Sequence, residues 1–167
     1  MKKLVLRKAT EEDIPLIRAM AKICFFDTYR NILSAEQLDY MYAMMYSESS
    51  LATQFAEGHH YVLAYEGEEC AGYVSYQYEP SNSAHLHKLY ILPAFQGNGI
   101  GRILIEHVFE TVKEYYRGVP CQVELNVNRE NKAYHFYKNM GMDEVASGDF
   151  PIGNGFYMCD YIMRKEL

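Results

Sequence analysis

A glycine-rich turn in the middle of the chain is the segment best suited to hold a charged ligand. Glycine occupies positions 97, 99 and 101 of Gln96-Gly97-Asn98-Gly99-Ile100-Gly101, between a strand-like run closed by Pro93 and a helical pattern. Glycines let successive backbone N–H groups converge, and a helix start adds partial positive charge. The turn therefore predicts an anion site with phosphate as its natural occupant. A helix start that merely needs tight turns would have the same composition.

Two nucleotide-binding patterns can be tested against this turn, and neither fits. The dinucleotide pattern G-x-G-x-x-G requires a third glycine where Arg102 stands, three positions after Gly99. The pattern G-x-x-x-x-G-K fails as well, because Arg102 also stands five positions after Gly97 and no Lys-Ser/Thr pair follows. The sequence thus argues against a nucleotide-binding module.

Two pairs of histidines raise the question of a metal. His85 and His87 alternate along one predicted strand and so point to the same face, and His59-His60 precede another strand. No third ligand accompanies them at a spacing typical of a zinc site. No metal is predicted.

Hydrophobic periodicity and capping residues predict the elements that position these groups. Strands are predicted over residues 3–9, 60–65, 71–78, 85–92 and 121–127, with two more flanking Gly153-Asn154-Gly155. Helices are predicted from Thr10, from Ser34 to about Ser47, after the glycine turn, and over 132–140. We expect the helix after the turn to bury Ile103, Leu104, Val108 and Val112.

These elements predict an α+β fold with one domain over residues 1–167. Its centre would be a mixed, mostly antiparallel sheet of about seven strands, flanked by about four helices. A strand–loop–helix–strand crossover would carry the glycine turn through the middle of that sheet.

Composition limits the classes of function that are open to the chain. Its 167 residues are 49% hydrophobic and 23% charged, which suits a globular domain. The formal charge of −6 leaves no basic footprint for nucleic acid, and no run of roughly 18 apolar residues predicts a membrane span. The basic start lacks the apolar region of a signal peptide, so we expect a cytoplasmic protein. The four cysteines are scattered along the chain, and we therefore expect them to be reduced thiols.

The glycine turn reads Q-x-x-G-x-G, and this pattern resembles the acyl-CoA pyrophosphate loop of the GNAT N-acetyltransferase superfamily. Leu89-Tyr90-Ile91-Leu92-Pro93 is similar to the fourth strand of that superfamily, and the run from Asn131 to Met142 is similar to its second CoA motif. The resemblance covers about residues 85–142, and three linked motifs at the right separations are far more specific than one loop. It implies a GNAT-like fold and acetyl-CoA as co-substrate.

The resemblance assigns cofactor-binding roles residue by residue. Backbone groups of Leu89, Tyr90 and Ile91 would hold the pantetheine arm. The pyrophosphate would lie on Gln96, Gly97, Asn98, Gly99, Ile100, Gly101 and Arg102. Asn131 resembles the cofactor-contacting asparagine of the second motif, with Asn128 as the alternative, and Lys138 would meet the 3′-phosphate or remain solvated.

Two catalytic roles follow from the same resemblance. Tyr137 resembles the tyrosine that protonates the departing CoA thiolate, a transfer that requires close contact because a phenol is the weaker acid. His87 stands where related enzymes often carry glutamate, and a histidine is suited to take a proton from the amine. A water chain or a carboxylate such as Glu124 is the alternative base.

The predicted function is acetyl-CoA-dependent acetylation of a primary amine. Phe26-Asp27-Thr28-Tyr29 and the run from Phe156 to Met163 resemble bacterial spermidine/spermine N-acetyltransferases, which implies a polyamine acceptor. The alternatives are acetylation of a protein N-terminus or lysine, and a non-catalytic acyl-CoA-sensing domain. The predicted partners are a small-molecule amine and a second copy in a homodimer, with neither nucleic acid nor a membrane.

Overall fold

The computed structural model describes residues 2–167, and within them a seven-stranded sheet carries helices on both faces. The strands are β1 (Leu4–Lys8), β2 (His60–Glu66), β3 (Glu69–Glu79), β4 (Ser83–Ile91), β5 (Gln122–Asn128), β6 (Asp143–Gly153) and β7 (Phe156–Glu166). The α-helices are α1 (Ile14–Tyr29), α2 (Ala35–Tyr46), α3 (Glu48–Ala56), α4 (Ile100–Tyr115) and α5 (Ala133–Asn139). The predicted α+β class and the mixed seven-stranded sheet are confirmed.

The sheet has the strand order β1-β2-β3-β4-β5-β7-β6. Its neighbours pair antiparallel except β4 and β5, which run parallel and are joined through α4. A parallel pair needs such a crossover, because the chain must return to the same end of the sheet. The glycine turn therefore lies at the end of β4, at the centre of the sheet.

Two apolar clusters hold the helices against opposite faces of the sheet. Helices α1, α2 and α3 pack on one face around Ile17, Phe25 and Leu51, which are at most 1% exposed. Helices α4 and α5 pack on the other face, where Leu104 and Val108 are fully buried. Side chains alternate between these two faces along each central strand, which fixes what each strand residue can reach.

Local capping agrees with the predicted helix starts. The Asp13 carboxylate accepts a hydrogen bond from the Thr10 backbone N–H at 2.9 Å, and Pro15 lies in the first turn of α1, where its missing N–H costs nothing. The Ser34 hydroxyl accepts one from the Gln37 N–H at 3.1 Å at the start of α2.

Two details of the helices differ from the prediction. Ser47 ends α2 and also caps a further helix, α3, since its hydroxyl accepts a hydrogen bond from the Ser50 N–H at 3.2 Å. The described chain therefore has five α-helices rather than about four. In α4, Ile103 is 42% exposed while Ile105 is fully buried, because the buried stripe continues from Ile100 through Leu104 and Val108. No helix within residues 2–167 is both long and apolar enough to cross a membrane.

Candidate active site

The two parallel strands separate at the centre of the sheet. Pairing between β4 and β5 ends where Leu86 faces Leu125, although β4 continues to Ile91 and β5 to Asn128. On its other side β4 stays paired with β3 as far as Ile91. Backbone N–H and C=O groups from about Leu89 to Ile91 therefore face an opening between the strands, where they can bind an extended ligand.

A β-bulge lies where this opening begins. Ser75 of β3 pairs with Lys88, whereas the next residue, Tyr76, pairs with Leu86, so that His87 is the extra residue on β4. A bulge breaks the alternation of side chains and bends the strand. His87 and Lys88 consequently lie on the same face of the sheet, the face that carries α1, α2 and α3.

The glycine turn closes one end of the opening. Gly97 and Gly99 have φ angles of +85° and +79°, which L-residues with a Cβ rarely adopt, and a Cβ on either would meet nothing within 4 Å. Gly101 lies against Ile91 and Phe136, whose atoms would be 3.6–3.8 Å from an added Cβ. The turn is thus an open cradle at the N-terminus of the 16-residue helix α4, packed beside the end of β4.

Side chains within the turn stabilise its shape. The Gln96 amide donates to the Ile91 carbonyl at 3.1 Å, and the Asn98 amide donates to the Phe95 carbonyl at 3.4 Å. These contacts tie the turn to the strand that precedes it. The predicted pantetheine and pyrophosphate segments are therefore adjacent in space.

Tyr137 lies on α5, in the apolar cluster on the face of the sheet that carries α4. Its side chain is 7% exposed. Burial is the main cause that raises its pKa, and the nearby Tyr29 hydroxyl raises it further. Burial also raises the pKa of Tyr90, which interacts with the hydroxyls of Tyr29 and Tyr137. Tyr29 of α1, Tyr90 of β4 and Tyr137 of α5 therefore lie close to one another.

Asn131 contributes to the same cluster of hydroxyls. Its amide nitrogen donates to the Tyr29 hydroxyl at 3.2 Å, and its amide oxygen accepts from the Ala133 N–H at 2.9 Å at the start of α5. Asn128, the alternative, is 9% exposed, and its amide oxygen accepts from the Glu130 N–H at 2.9 Å. Both asparagines therefore shape the turn between β5 and α5, which sets the position of Tyr137.

His87 lines a large cavity on the face that carries α2 and α3. The cavity has a volume of about 740 Å³ and lies between the α2–α3 junction and β4, with His59, His85 and Asn126 among its walls. The His87 ring stacks on His59 with centroids 4.5 Å apart and tilts against His85 at 4.7 Å. Part of the His87 side chain remains exposed. Its pKa is nevertheless lowered, chiefly by loss of hydration and further by the nearby charges of His85, His59 and Lys88.

A chain of hydrogen bonds determines which nitrogen of His87 carries the proton. The Gln77 amide nitrogen donates to the Glu57 carbonyl at 2.9 Å, so the Gln77 amide oxygen faces His87 Nε2 at 3.2 Å. An amide oxygen only accepts, and Nε2 must therefore donate. Nδ1 is left with the free lone pair and is the basic atom of the neutral ring.

Lys88 fixes the wall of this cavity. Its ammonium donates to the Met45 carbonyl, the Gln54 amide oxygen and the Tyr61 hydroxyl at 3.2, 3.0 and 2.7 Å, and it lies 4.1 Å above the Tyr46 ring. Burial lowers its pKa to about 7, while three oxygen acceptors and a ring face favour the charged form. The lysine thus links the ends of α2 and α3 to the bulge on β4.

Three other predicted charges are already paired. Arg102 is exposed and donates to Glu106 at 2.9 Å, and Lys138 lies 3.5 Å from Asp143. Glu124, the alternative base, accepts two hydrogen bonds from Arg164 at 2.9 and 3.1 Å.

The sequence patterns assign no role of their own to two residues at this site. Tyr29 connects Asn131 to Tyr90 and Tyr137, and Asp160 of β7 is a carboxylate only 2% exposed, which accepts from the Asn126 amide at 3.3 Å. The available signal was that both residues lie in runs, Phe26–Tyr29 and Phe156–Met163, that resemble polyamine acetyltransferases. No group of three or more His, Cys, Asp or Glu side chains within residues 2–167 could hold a metal ion.

Comparisons with known proteins agree on one family. Residues 19–142, more than half of the chain, match the profile of the Acetyltransferase (GNAT) family. An uncharacterised N-acetyltransferase of the pepI 3′ region from Lactobacillus delbrueckii subsp. lactis is 25% identical over 170 residues, covering 96% of this chain and 95% of that protein.

Two solved structures share the fold at low sequence identity. The PaiA N-acetyltransferase of Thermoplasma acidophilum in complex with coenzyme A has a TM-score of 0.82 at 22% identity, with 99% of each chain covered. The ribosomal-protein-S18-alanine N-acetyltransferase of Escherichia coli has a TM-score of 0.73 at 19% identity, covering 98% of this chain and 94% of that one.

Proposed function

The chain belongs to the GNAT family of acetyltransferases and is an acetyl-CoA-dependent N-acetyltransferase, and we propose that its acceptor is a small primary amine of the polyamine class. We propose that the reaction takes place at the opening between β4 and β5. The observation that carries this placement is the unpaired edge of β4 beside the glycine turn.

The residues around the opening suit acetyl-CoA as the co-substrate. The free edge from Leu89 to Ile91 offers backbone hydrogen bonds to an extended, amide-containing arm. The open cradle at Gly97 and Gly99 offers backbone N–H groups and a helix N-terminus to a pyrophosphate. Backbone N–H groups of β4 would also stabilise the oxyanion that develops as the amine attacks the thioester.

His87 is the proposed acceptor of the amine proton. An ammonium cannot attack a thioester until it loses a proton, and the Nδ1 lone pair of His87 is free. The lowered pKa keeps the ring neutral at pH 7, so no proton must leave it first. It also makes His87 a weaker base than an ordinary histidine, and we expect it to act only on an amine that the cavity has already desolvated.

Tyr137 is the proposed general acid. The leaving thiolate needs a proton, and the raised pKa of the phenol ensures that Tyr137 still carries one at neutral pH. Its interactions with Tyr29 and Tyr90 support a hydroxyl that faces the opening, where the thiolate would form.

Charge and size support a cationic acceptor of modest length. The formal charge of −6 favours cations weakly, and the runs at Phe26–Tyr29 and Phe156–Met163 resemble spermidine/spermine acetyltransferases. The large cavity that His87 lines, on the face of the sheet that carries α2 and α3, offers about 740 Å³ for the rest of the acceptor. The cytoplasmic location and the homodimer stay predictions.

A panel of acceptors tests this function. The purified protein is given acetyl-CoA with spermidine, spermine, butylamine or a peptide with a free N-terminus, and the release of CoA thiol is followed. We expect amine-dependent release with spermidine and spermine, together with an acetylated product in the mass spectrum. Activity confined to peptide N-termini would reject the polyamine acceptor.

A further inference from the structure

A second, much smaller cavity lies beside the opening, between α2 and β7. Its volume of about 20 Å³ has room for one water-sized group. Its walls are Tyr29, Leu33, Gln37, Met41, Asn128, Tyr157, Met158 and Asp160. An alkylammonium head is similar in size to one water, so the cavity has the right dimensions to hold one.

Asp160 gives this cavity its charge. The carboxylate is 2% exposed, and within residues 2–167 no Lys, Arg or His nitrogen lies within the 4.0 Å that defines an ion pair with it. Its hydrogen bond comes from the neutral Asn126 amide at 3.3 Å. Burial raises its pKa, against the opposing effects of Asn126 and Arg129. A buried carboxylate without a cation is costly, and an entering cation would remove that cost.

The remaining walls suit an ammonium on a short hydrocarbon chain. Gln37 uses its amide N–H for the Tyr157 carbonyl at 2.8 Å, which leaves its amide oxygen as an acceptor. Tyr29 also lines the cavity. Leu33, Met41 and Met158 would contact methylene groups, and aromatic rings favour a nearby cation.

The small cavity adjoins the proposed acceptor site. Met158 lines both the small and the large cavity, and Asn126, which donates to Asp160, also lines the large one. Asp160 pairs with Asn128 at the end of β5, beyond the point where β4 has separated from it. A flexible amine in the large cavity could therefore reach Asp160 by moving the unbranched Met158 side chain.

We propose that the small cavity is an ammonium subsite in which Asp160 pairs with a positively charged nitrogen of the acceptor. This inference rests on the proposed function and adds to it a residue that selects cationic over neutral acceptors. In a polyamine, Asp160 would hold a nitrogen other than the one that is acetylated. Deprotonation of the reacting amine then remains the role of His87.

Asp160→Asn tests the subsite, because it keeps the shape of the side chain and removes its charge. We expect the KM for spermidine to rise roughly 10- to 100-fold, the range for losing a hydrogen bond to a charged group. The KM for acetyl-CoA should stay unchanged. Spermidine should raise the melting temperature of the CoA-saturated wild-type protein, and this effect should be lost in the variant.

A structural role for Asp160 predicts different results. If Asp160 only supports the fold, Asp160→Asn should melt at a lower temperature without ligand, whereas relief of an unpaired buried charge predicts an equal or higher one. Asp39→Asn, the same charge change at an exposed position on α2, serves as the control and should alter neither KM. A spermidine KM within twofold of wild type in Asp160→Asn would overturn the proposal.

A second variant keeps the test decisive if Asp160→Asn fails to fold. Gln37→Leu removes an oxygen acceptor from the same cavity but leaves the carboxylate, so the spermidine KM should rise several-fold while the acetyl-CoA KM stays constant. An unchanged spermidine KM in a folded Gln37→Leu protein would count against the subsite. If the wild-type protein acetylates no amine at all, the proposed function has failed, and the subsite fails with it.

Discussion

At the scale of single residues, the chemistry depends on how neighbours prepare His87. The Glu57 carbonyl orients the Gln77 amide, and the Gln77 oxygen then holds the proton on His87 Nε2. The bulge that makes His87 the extra residue of β4 sets its ring in the large cavity. Sequence alone suggested a histidine of ordinary basicity, whereas its surroundings lower the pKa of the ring.

We expect His87→Ala to lower the turnover number roughly 10²-fold at pH 7, at the low end for losing a general base. Part of this loss should return at higher pH, because more of the free amine is then unprotonated. The measurement is the pH dependence of kcat for spermidine in both proteins. His107→Ala on α4 is the control, and parallel profiles for His87→Ala and wild type would show that His87 takes no proton.

At the scale of elements, the glycine turn and the start of α4 act as one unit. Gly99 is the last residue before the helix, and the N–H of Ile103 donates to its carbonyl at 3.1 Å. The positive φ angles at Gly97 and Gly99 turn the backbone so that the space before the helix stays open. A side chain here would both strain the turn and fill the cradle.

We expect Gly99→Val to remove most of the increase in melting temperature that saturating acetyl-CoA gives the wild-type protein. Gly118→Val is a matched control, since Gly118 also has a positive φ, +78°, and open space around its Cβ position, but lies after the far end of α4. Both variants should lose similar stability without ligand. An undiminished acetyl-CoA effect in Gly99→Val would contradict the placement of the pyrophosphate.

Elements were easier to predict from the sequence than their exact faces and ends. Ser34 and Thr10 mark helix starts because their local bonds depend on nearby residues alone. The sequence predicts Ser47 as a helix end, whereas its second role as the cap of α3 depends on a change of direction that packing against the sheet decides. Ile103 fits the apolar spacing of α4 but lies at the border of the stripe, where only the three-dimensional packing separates buried from exposed.

At the scale of the whole molecule, the sheet brings distant segments together. Tyr29, Asn131 and Asp160 meet at the opening although they lie on α1, after β5 and on β7. The cofactor segments could be predicted because their residues are contiguous between 85 and 142. The proximity of Tyr29 to Asp160 could not be predicted, although both lie in runs that the resemblance covers, because it follows from the strand order and from the separation of β4 and β5.

The histidines also make the stability of the whole fold depend on pH. Burial is the first cause that lowers the pKa values of His59, His60, His85 and His87, so the unfolded chain binds more protons below about pH 6.5. The free energy of unfolding should therefore rise from pH 5 to pH 7, and the lowered pKa of Lys88 adds a further rise above pH 7. Urea unfolding at both pH values measures this.

His60→Gln isolates one contribution, since His60 lies outside the proposed site. The rise from pH 5 to pH 7 should be smaller in this variant than in the wild-type protein, because the lowered pKa of His60 no longer contributes to it. An identical rise in His60→Gln and wild type would show that His60 titrates alike in the folded and unfolded states.

The most direct test of the whole account is the rate of acetyl transfer in Tyr137→Phe. The substitution keeps the buried ring and deletes its hydroxyl, so folding and acetyl-CoA affinity should change little. Tyr115→Phe, at a tyrosine 57% exposed on α4, provides the control. With spermidine and saturating acetyl-CoA, we expect kcat to fall roughly 10²-fold in Tyr137→Phe and to stay unchanged in Tyr115→Phe. Normal turnover by Tyr137→Phe would contradict it, since the phenol would then only pack and the thiolate would take its proton from water.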